Sequence, residues 1–215
     1  MEFSDITAFL PILLKGALIT VQITIGALLL STLLGLLLAL MKLSPVRALS
    51  LTAGTFINVV RGLPIIVQLF YIYFVLPELG IQLSAFQASI IGLGVAYSAY
   101  QAENFRAGIE AIEAGQIEAA RSIGMKSKLI MRRVVLPQAI RIALPPYGNT
   151  AVMILKDSSL ASTITVAEMT RAGQLIAAST FQNTTVYTLV ALLYLCLSLP
   201  LIFGVNRLER YFGKS

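Results

Sequence analysis

Three groups of polar side chains interrupt long apolar runs, and these are the places where the sequence can do chemistry. Arg61 precedes Gly62-Leu63-Pro64, with Gln68 a turn further on. Glu103 and Asn104 close a run that opens at Ala85. Lys156 and Asp157, followed by Ser158 and Ser159, break the run from Ile142 to Ile164. An ionisable group inside a membrane-crossing segment costs roughly 2.5–3.5 kcal/mol on insertion scales, so by default it marks a binding site or a solute path. Carboxylates with neighbouring hydroxyls suit an ammonium or guanidinium group, and Arg61 or Lys156 suits a carboxylate. Each place also has a structural reading. Pro64 lacks the N–H that would bond the Val60 carbonyl, which is enough to kink a helix. Glu103 can pair with Arg106 at i+3, or with Lys156. Gly92, Ala96, Ala99, Glu103 and Ala107 form a small-residue stripe that admits a close neighbour or a narrow cavity. Both readings stand at all three places.

Other chemistry is excluded. The sequence has no histidine, which removes histidine acid–base catalysis and histidine metal sites. No metal or cofactor is expected in this chain. Gly213-Lys214-Ser215 resembles the end of a phosphate-binding loop, but that motif needs a glycine five residues earlier, where Leu208 stands. Any ATP chemistry belongs to another chain. No nucleophile–base pairing is visible, so an enzyme is not expected. The single cysteine, Cys196, lies in an apolar run and is expected to be a small buried side chain. The net charge of +6 is not gathered into a basic stripe with aromatics, so nucleic acid is not an expected partner.

Positioning these residues calls for membrane helices. The 215 residues are 57% hydrophobic and 12% charged, against about 25% charged in soluble domains. A span takes about 20 apolar residues. Five fit within one domain covering 1–215: about 9–41, 48–77, 85–108, 140–164 and 186–206. Lys15 snorkels outward, 48–77 crosses once with tilt, and Pro200 kinks the last span. Residues 165–185 read as a short helix or loop at the outer surface. Residues 109–138 are charged and amphipathic and belong in water or at the membrane surface. Lys42 and Arg47, the cations from Arg121 to Arg133, and Arg207, Arg210 and Lys214 all fall on one side, with Glu78, Glu168 and Arg171 opposite. The positive-inside rule then puts the N-terminus outside and the charged loop and C-terminus in the cytoplasm. The expected class is an all-α, multi-pass protein of the bacterial plasma membrane. The acidic start, Met1 to Asp5, is unlike a secretory signal, so the first span is expected to remain.

The charged loop holds the most specific pattern. It reads Gly115-Gln116-Ile117-Glu118-Ala119-Ala120-Arg121-Ser122-Ile123-Gly124, then nine residues to Val134-Val135-Leu136-Pro137. Glu118 to Ala120 favours helix, Gly124 suits a left-handed stop, and Lys126 to Val135 reads as a second short helix that Pro137 ends or kinks. The result is a helix–turn–helix knuckle shaped for a groove in a partner.

This pattern resembles the loop of permease subunits in binding-protein-dependent ABC importers, Glu-Ala-Ala-x3-Gly-x9-Ile-x-Leu-Pro, with Val134 for the isoleucine. Arg61-Gly62-Leu63-Pro64 with Gln68, Ala102-Glu103-x2-Arg106-x-Gly108-Ile109, Leu136-Pro137-Gln138-Ala139-x-Arg141 and Lys156-Asp157-Ser158-Ser159-Leu160 resemble the polar amino acid subfamily, of histidine, glutamine and arginine type. The resemblance implies a five-helix core with a cytoplasmic coupling pair over 109–138. Glu118, Ala119, Ala120, Arg121, Gly124, Leu136 and Pro137 would be its coupling residues. It implies two ATP-hydrolysing partner subunits that hold ATP and Mg, a second permease expected to be a copy of this chain, an extracellular or periplasmic substrate-binding protein, and surrounding membrane lipid. Candidate substrate contacts are Arg61, Leu63, Gln68, Glu103, Asn104, Lys156, Asp157 and Ser158. Two intramembrane carboxylates lean toward a basic amino acid such as arginine. The alternatives are a neutral polar one such as glutamine, or a channel or carrier without an ATPase, in which the knuckle has no task.

Overall fold

The computed structural model describes residues 3–212. Met1, Glu2 and the tail Gly213-Lys214-Ser215, with the Lys214 charge, lie outside the described residues. The chain forms helices α1 (Phe3–Lys42), α2 (Arg47–Gly62), α3 (Ile65–Phe70), α4 (Ala85–Glu110), α5 (Ala114–Ser122), α6 (Ser127–Ile130), α7 (Leu136–Asp157), α8 (Met169–Thr180) and α9 (Asn183–Phe212). Wider π turns occupy Tyr71–Val75 and Met131–Val135, and 3-10 turns occupy Leu76–Leu79 and Ser158–Ile164. Among the described residues there is no strand, in keeping with the all-α expectation.

Helices α1 and α4 are the central pair, packed side by side in parallel. Gly26 faces Ile90, Gly94 faces Leu30, Gly35 faces Ser98 and Gln101, and Lys42 reaches Glu103, so the two helices stay in step along their length. Glycine permits the approach: a Cβ at Gly94 would stand 2.6 Å from Leu30, and one at Gly35 2.7 Å from the Gln101 Cβ. The small-residue stripe of α4 meets α2 and α3. Gly92 faces Leu69, and Ala99 is buried with Ala53, Ile57 and Val60. Helix α7 lies antiparallel on the other side of α4, with Gly108 against the Ala139 carbonyl.

Helices α1 and α9 are long and apolar enough to cross a membrane by themselves. The expected single tilted span over 48–77 is instead broken. Helix α2 ends at Gly62, Leu63 and Pro64 are extended, and the next segment, Ile65–Leu79, leaves at 103°. The missing Pro64 N–H and the extended backbone at Leu63 convert the expected kink into a break. The expected fourth span changes character at Asp157, where the α-helix tightens into the 3-10 turn. Pro200 sits inside α9, which runs unbroken from Asn183 to Phe212.

Residues 165–185, read as a short helix or loop, contain the short helix α8, which packs closely along α1 and α9. A Cβ at Gly16 would stand 2.8 Å from the Met169 Cα, and one at Gly173 2.7 Å from Val190. Two further expectations are corrected. Glu168 is not a loop charge. It is fully buried as the N-cap of α8, accepting the Thr170 and Arg171 N–H groups at 2.9 and 2.8 Å and the Tyr194 and Thr20 hydroxyls at 3.0 and 3.4 Å. With four donors on its oxygens, the carboxylate tolerates burial that would otherwise be prohibitive. Cys196 is exposed on α9 rather than buried, among the exposed leucines Leu192, Leu195 and Leu199.

The α1–α8 contact yields a stability prediction. Gly16→Ala places a methyl against the Met169 backbone, which cannot step aside as a side chain can, and should cost about 1–3 kcal/mol. Gly54, with nothing within 4 Å of its missing Cβ, should accept alanine without loss. Thermal unfolding of the two variants in the same detergent checks the contrast.

Candidate functional site

The two helix breaks face each other across α4. At the first, Gln68 turns its side chain back on the gap. Its Nε2 donates to the Val60 carbonyl at 2.8 Å and to the Leu63 carbonyl at 3.0 Å. The carbonyl orphaned by Pro64 thus gains a partner, and Arg61 is held at the exposed end of α2. The Arg61 guanidinium lies over the Tyr100 ring, 5.4 Å from its centroid, a cation–π contact. Tyr100 adjoins Tyr97, ring centroids 5.8 Å apart. The Tyr97 hydroxyl donates to Asp157 at 2.5 Å, and Asp157 ends α7 at the second break. A cation and a carboxylate therefore stand at the two ends of one aromatic bridge, each where a helix stops.

The other candidates divide. Leu63 is 48% exposed, with extended backbone beside the first break. Lys156 is exposed next to Asp157. The Ser158 hydroxyl is fully buried and donates to the Leu155 carbonyl at 2.7 Å, so it is committed to its own helix end. Asn104 donates to Gln101 and to Thr150, each at 3.2 Å, which ties α4 to α7.

Glu103 takes the structural alternative. Its Oε1 accepts Lys42 at 2.6 Å, and its Oε2 accepts Arg106 at 2.8 Å; Arg106 also pairs with Glu110. Lys156 is not its partner. Glu103 lies six residues beyond Tyr97 on α4, about 9 Å along the axis, and its own partners occupy both oxygens. The two carboxylates are thus not brought together.

The knuckle has the expected shape. Gly124 sits at φ +80°, the left-handed region that favours glycine. Its N–H donates to the Arg121 carbonyl at 2.9 Å, and the Met125 N–H to the Ala120 carbonyl at 3.1 Å. That pair of bonds is the Schellman closure of α5. Ala120 is buried with Ile112, Ile130, Val135 and Ala139, whereas Glu118, Ala119 and Arg121 are exposed and Ile123 stands 78% exposed at the turn. Leu136 and Pro137 are exposed where α7 begins. Pro137 does not end the second helix. Residues from Ser127 to Asp157 run on without a gap, and the Leu136 N–H reaches back five residues to Met131. The wide turn absorbs the bond that proline cannot make.

The sequence reading missed four contributors. Tyr97 and Tyr100 bridge the two breaks, and the four-residue step from Tyr97 to Gln101 and on toward Asn104 was the available sign of a polar face on α4. Gln138 braces the knuckle by donating to Gln116 at 2.7 Å and to the Val134 carbonyl at 2.8 Å. Ile123 carries the largest exposed apolar surface at the turn, and its only sign was an apolar residue next to the helix-stopping glycine.

Comparison with known proteins agrees with this arrangement. Residues 31–214 match the family described as the binding-protein-dependent transport system inner membrane component. The chain is 37% identical over 212 residues to an L-cystine transport system permease protein of Bacillus subtilis, covering 96% of this chain and 91% of that one. It is 36% identical over 211 residues to a glutamine transport system permease protein of Escherichia coli, covering 97% and 96%. A crystal structure of an amino acid ABC transporter with histidines contains a chain that superimposes with a TM-score of 0.92 at 37% identity, over 98% of this chain and 99% of that one. A chain with this knuckle, these helix breaks and these relatives belongs to the permease family of binding-protein-dependent ABC transporters, as an amino acid permease subunit and not as an enzyme.

Proposed function

We propose that this permease carries polar amino acids and recognises them through the zwitterionic head that all amino acids share. The observation behind this reading is the bridge Arg61–Tyr100–Tyr97–Asp157, with its cation and carboxylate at opposite helix breaks. Asp157 would receive the ammonium and Arg61 the carboxylate, with the extended backbone at Leu63 beside them and Gln68 and Asn104 as positioning residues. Broken helices with free backbone groups line the sites of many transporters. The lean toward arginine rested on Glu103 and Asp157 acting together. Since Lys42 and Arg106 occupy Glu103, a basic side chain has only Asp157 to read it. Glutamine therefore fits the site as well as arginine does.

The remaining parts follow from the family and the charge pattern. The knuckle docks on an ATP-hydrolysing partner that holds ATP and Mg, two such partners serve two permeases, and the second permease is a copy of this chain. A substrate-binding protein delivers the amino acid from outside. Lys42, Arg47, the knuckle cations and Arg207 and Arg210 mark the cytoplasmic side, with the N-terminus outside.

Three variants test this reading. Gly124→Val forces a β-branched residue into the left-handed region, where even an ordinary residue costs about 1–2 kcal/mol. Copurification of the ATPase and amino acid-stimulated ATP hydrolysis should fall about tenfold while the permease still folds; undiminished transport would exclude a coupling role for the knuckle. Asp157→Asn removes one charge-assisted hydrogen bond, about 1.5–3 kcal/mol, or roughly ten- to a hundredfold in affinity. Substrate-stimulated ATPase activity should weaken alike for arginine and glutamine. A loss confined to arginine would restore the basic-substrate reading. Glu103→Gln should lower the melting temperature without favouring either substrate.

A further inference from the structure

A groove on the knuckle half of the molecule, enclosing about 260 Å³, runs between α1, α4 and α7. Leu36, Phe105, Ile109, Leu136, Ile140 and Tyr147 form most of its wall. Its two hydroxyl-bearing residues, Thr32 and Tyr147, hydrogen-bond to each other at 3.1 Å, and Thr32 also bonds the Leu28 carbonyl at 2.6 Å. The wall therefore offers no unsatisfied hydroxyl to a polar guest. From Leu136 to Tyr147 is eleven residues along α7, about 16 Å. That length matches one leaflet, half of a hydrocarbon core about 30 Å thick. That volume leaves a slot far smaller than a helix of the same length, about 10–12 Å across with its side chains, would fill. Carbon–carbon contact distances of about 3.5–4.0 Å suit a polymethylene chain in such a slot.

The foot of the groove supplies a charge. Arg132 and Arg133 stand four and three residues before Leu136, one turn below it, and both are exposed. Neither takes part in the ion pairs among the described residues, which join Lys42, Arg106, Glu103 and Glu110. An apolar slot one leaflet long with two free guanidinium groups at the water side is complementary to one anionic phospholipid.

We propose that this groove holds an acyl chain of an anionic phospholipid of the cytoplasmic leaflet, with its phosphate at Arg132 and Arg133. The side of the membrane rests on the orientation given above; the lipid itself does not depend on which amino acid is carried. Because Leu136 lies in both the groove wall and the root of the knuckle, the lipid braces the joint between the membrane helices and the docking element.

The test uses the assembled transporter, reconstituted in vesicles of equal phosphatidylcholine and phosphatidylglycerol and then analysed by native mass spectrometry. One phosphatidylglycerol should remain per permease chain. Ile140→Trp fills the groove from its exposed wall and should lower the retained lipid at least tenfold. Leu36→Trp fills it from the α1 side and gives the same reading if the first variant fails to assemble. Arg132→Gln with Arg133→Gln should keep a lipid but lose the preference for phosphatidylglycerol by about tenfold or more. No retained lipid, retention untouched by both tryptophan variants, or a crosslink from position 140 to a second permease copy would overturn the proposal. Loss of transport with lipid retained would count against the importer reading and leave the lipid site standing.

Discussion

A membrane offers no water to an unpaired backbone group, so every interruption of a helix needs a substitute partner from the protein itself. This constraint decides where the permease can be irregular. Pro64 takes away one N–H, and Gln68 supplies two donor contacts in return, to Val60 and Leu63. The tightened turn after Asp157 is held in part by the Ser158 hydroxyl on the Leu155 carbonyl. Once these debts are met locally, Arg61 and Asp157 can stand at helix ends with their charged groups turned to a neighbour instead of to lipid.

The same accounting separates the acidic residues by task. Glu168 is buried beneath four donors and serves to seat α8 between α1 and α9. Glu103 is locked between a cation from α1 and one from its own helix, fastening the knuckle ends of the central pair. Asp157 has one strong donor, the Tyr97 hydroxyl, and a carboxylate can accept several more. Of the three, only Asp157 keeps acceptor capacity at a place where the chain is broken and part-exposed. Glu168 and Glu103 are thereby structural, and Asp157 is the one left for the ammonium proposed above.

Close packing connects these positions to the knuckle. Glycines at 26, 35 and 94 set α1 and α4 against each other, and Gly108 sets α4 against α7. An interior packed this closely deforms little. The knuckle grows out of α4 and returns continuously into α7. Displacing its tip therefore acts on both helices that carry the Tyr97–Asp157 contact, without a flexible linker in between.

The sequence by itself determined the class, the helices and the knuckle. Apolar runs of span length, the placement of the cations and the Glu118–Gly124–Pro137 spacing are local properties, and local geometry enforces them: glycine takes the left-handed position, and a long apolar run has one low-energy form in lipid. The tertiary structure decided which polar residues meet. Glu103 had Arg106, Lys156 or a substrate open to it, and the parallel register of α1 on α4 brought Lys42 to it beside Arg106. Glu168 read as a loop charge, whereas in the fold it finds Thr20 and Tyr194 on two distant helices. Pro64 announced a disturbance, but neither the 103° turn that follows nor the seat of Leu69 against Gly92 of another helix. Partners far apart in the chain are chosen by packing, and packing is a property of the whole fold that spacing along one segment does not carry.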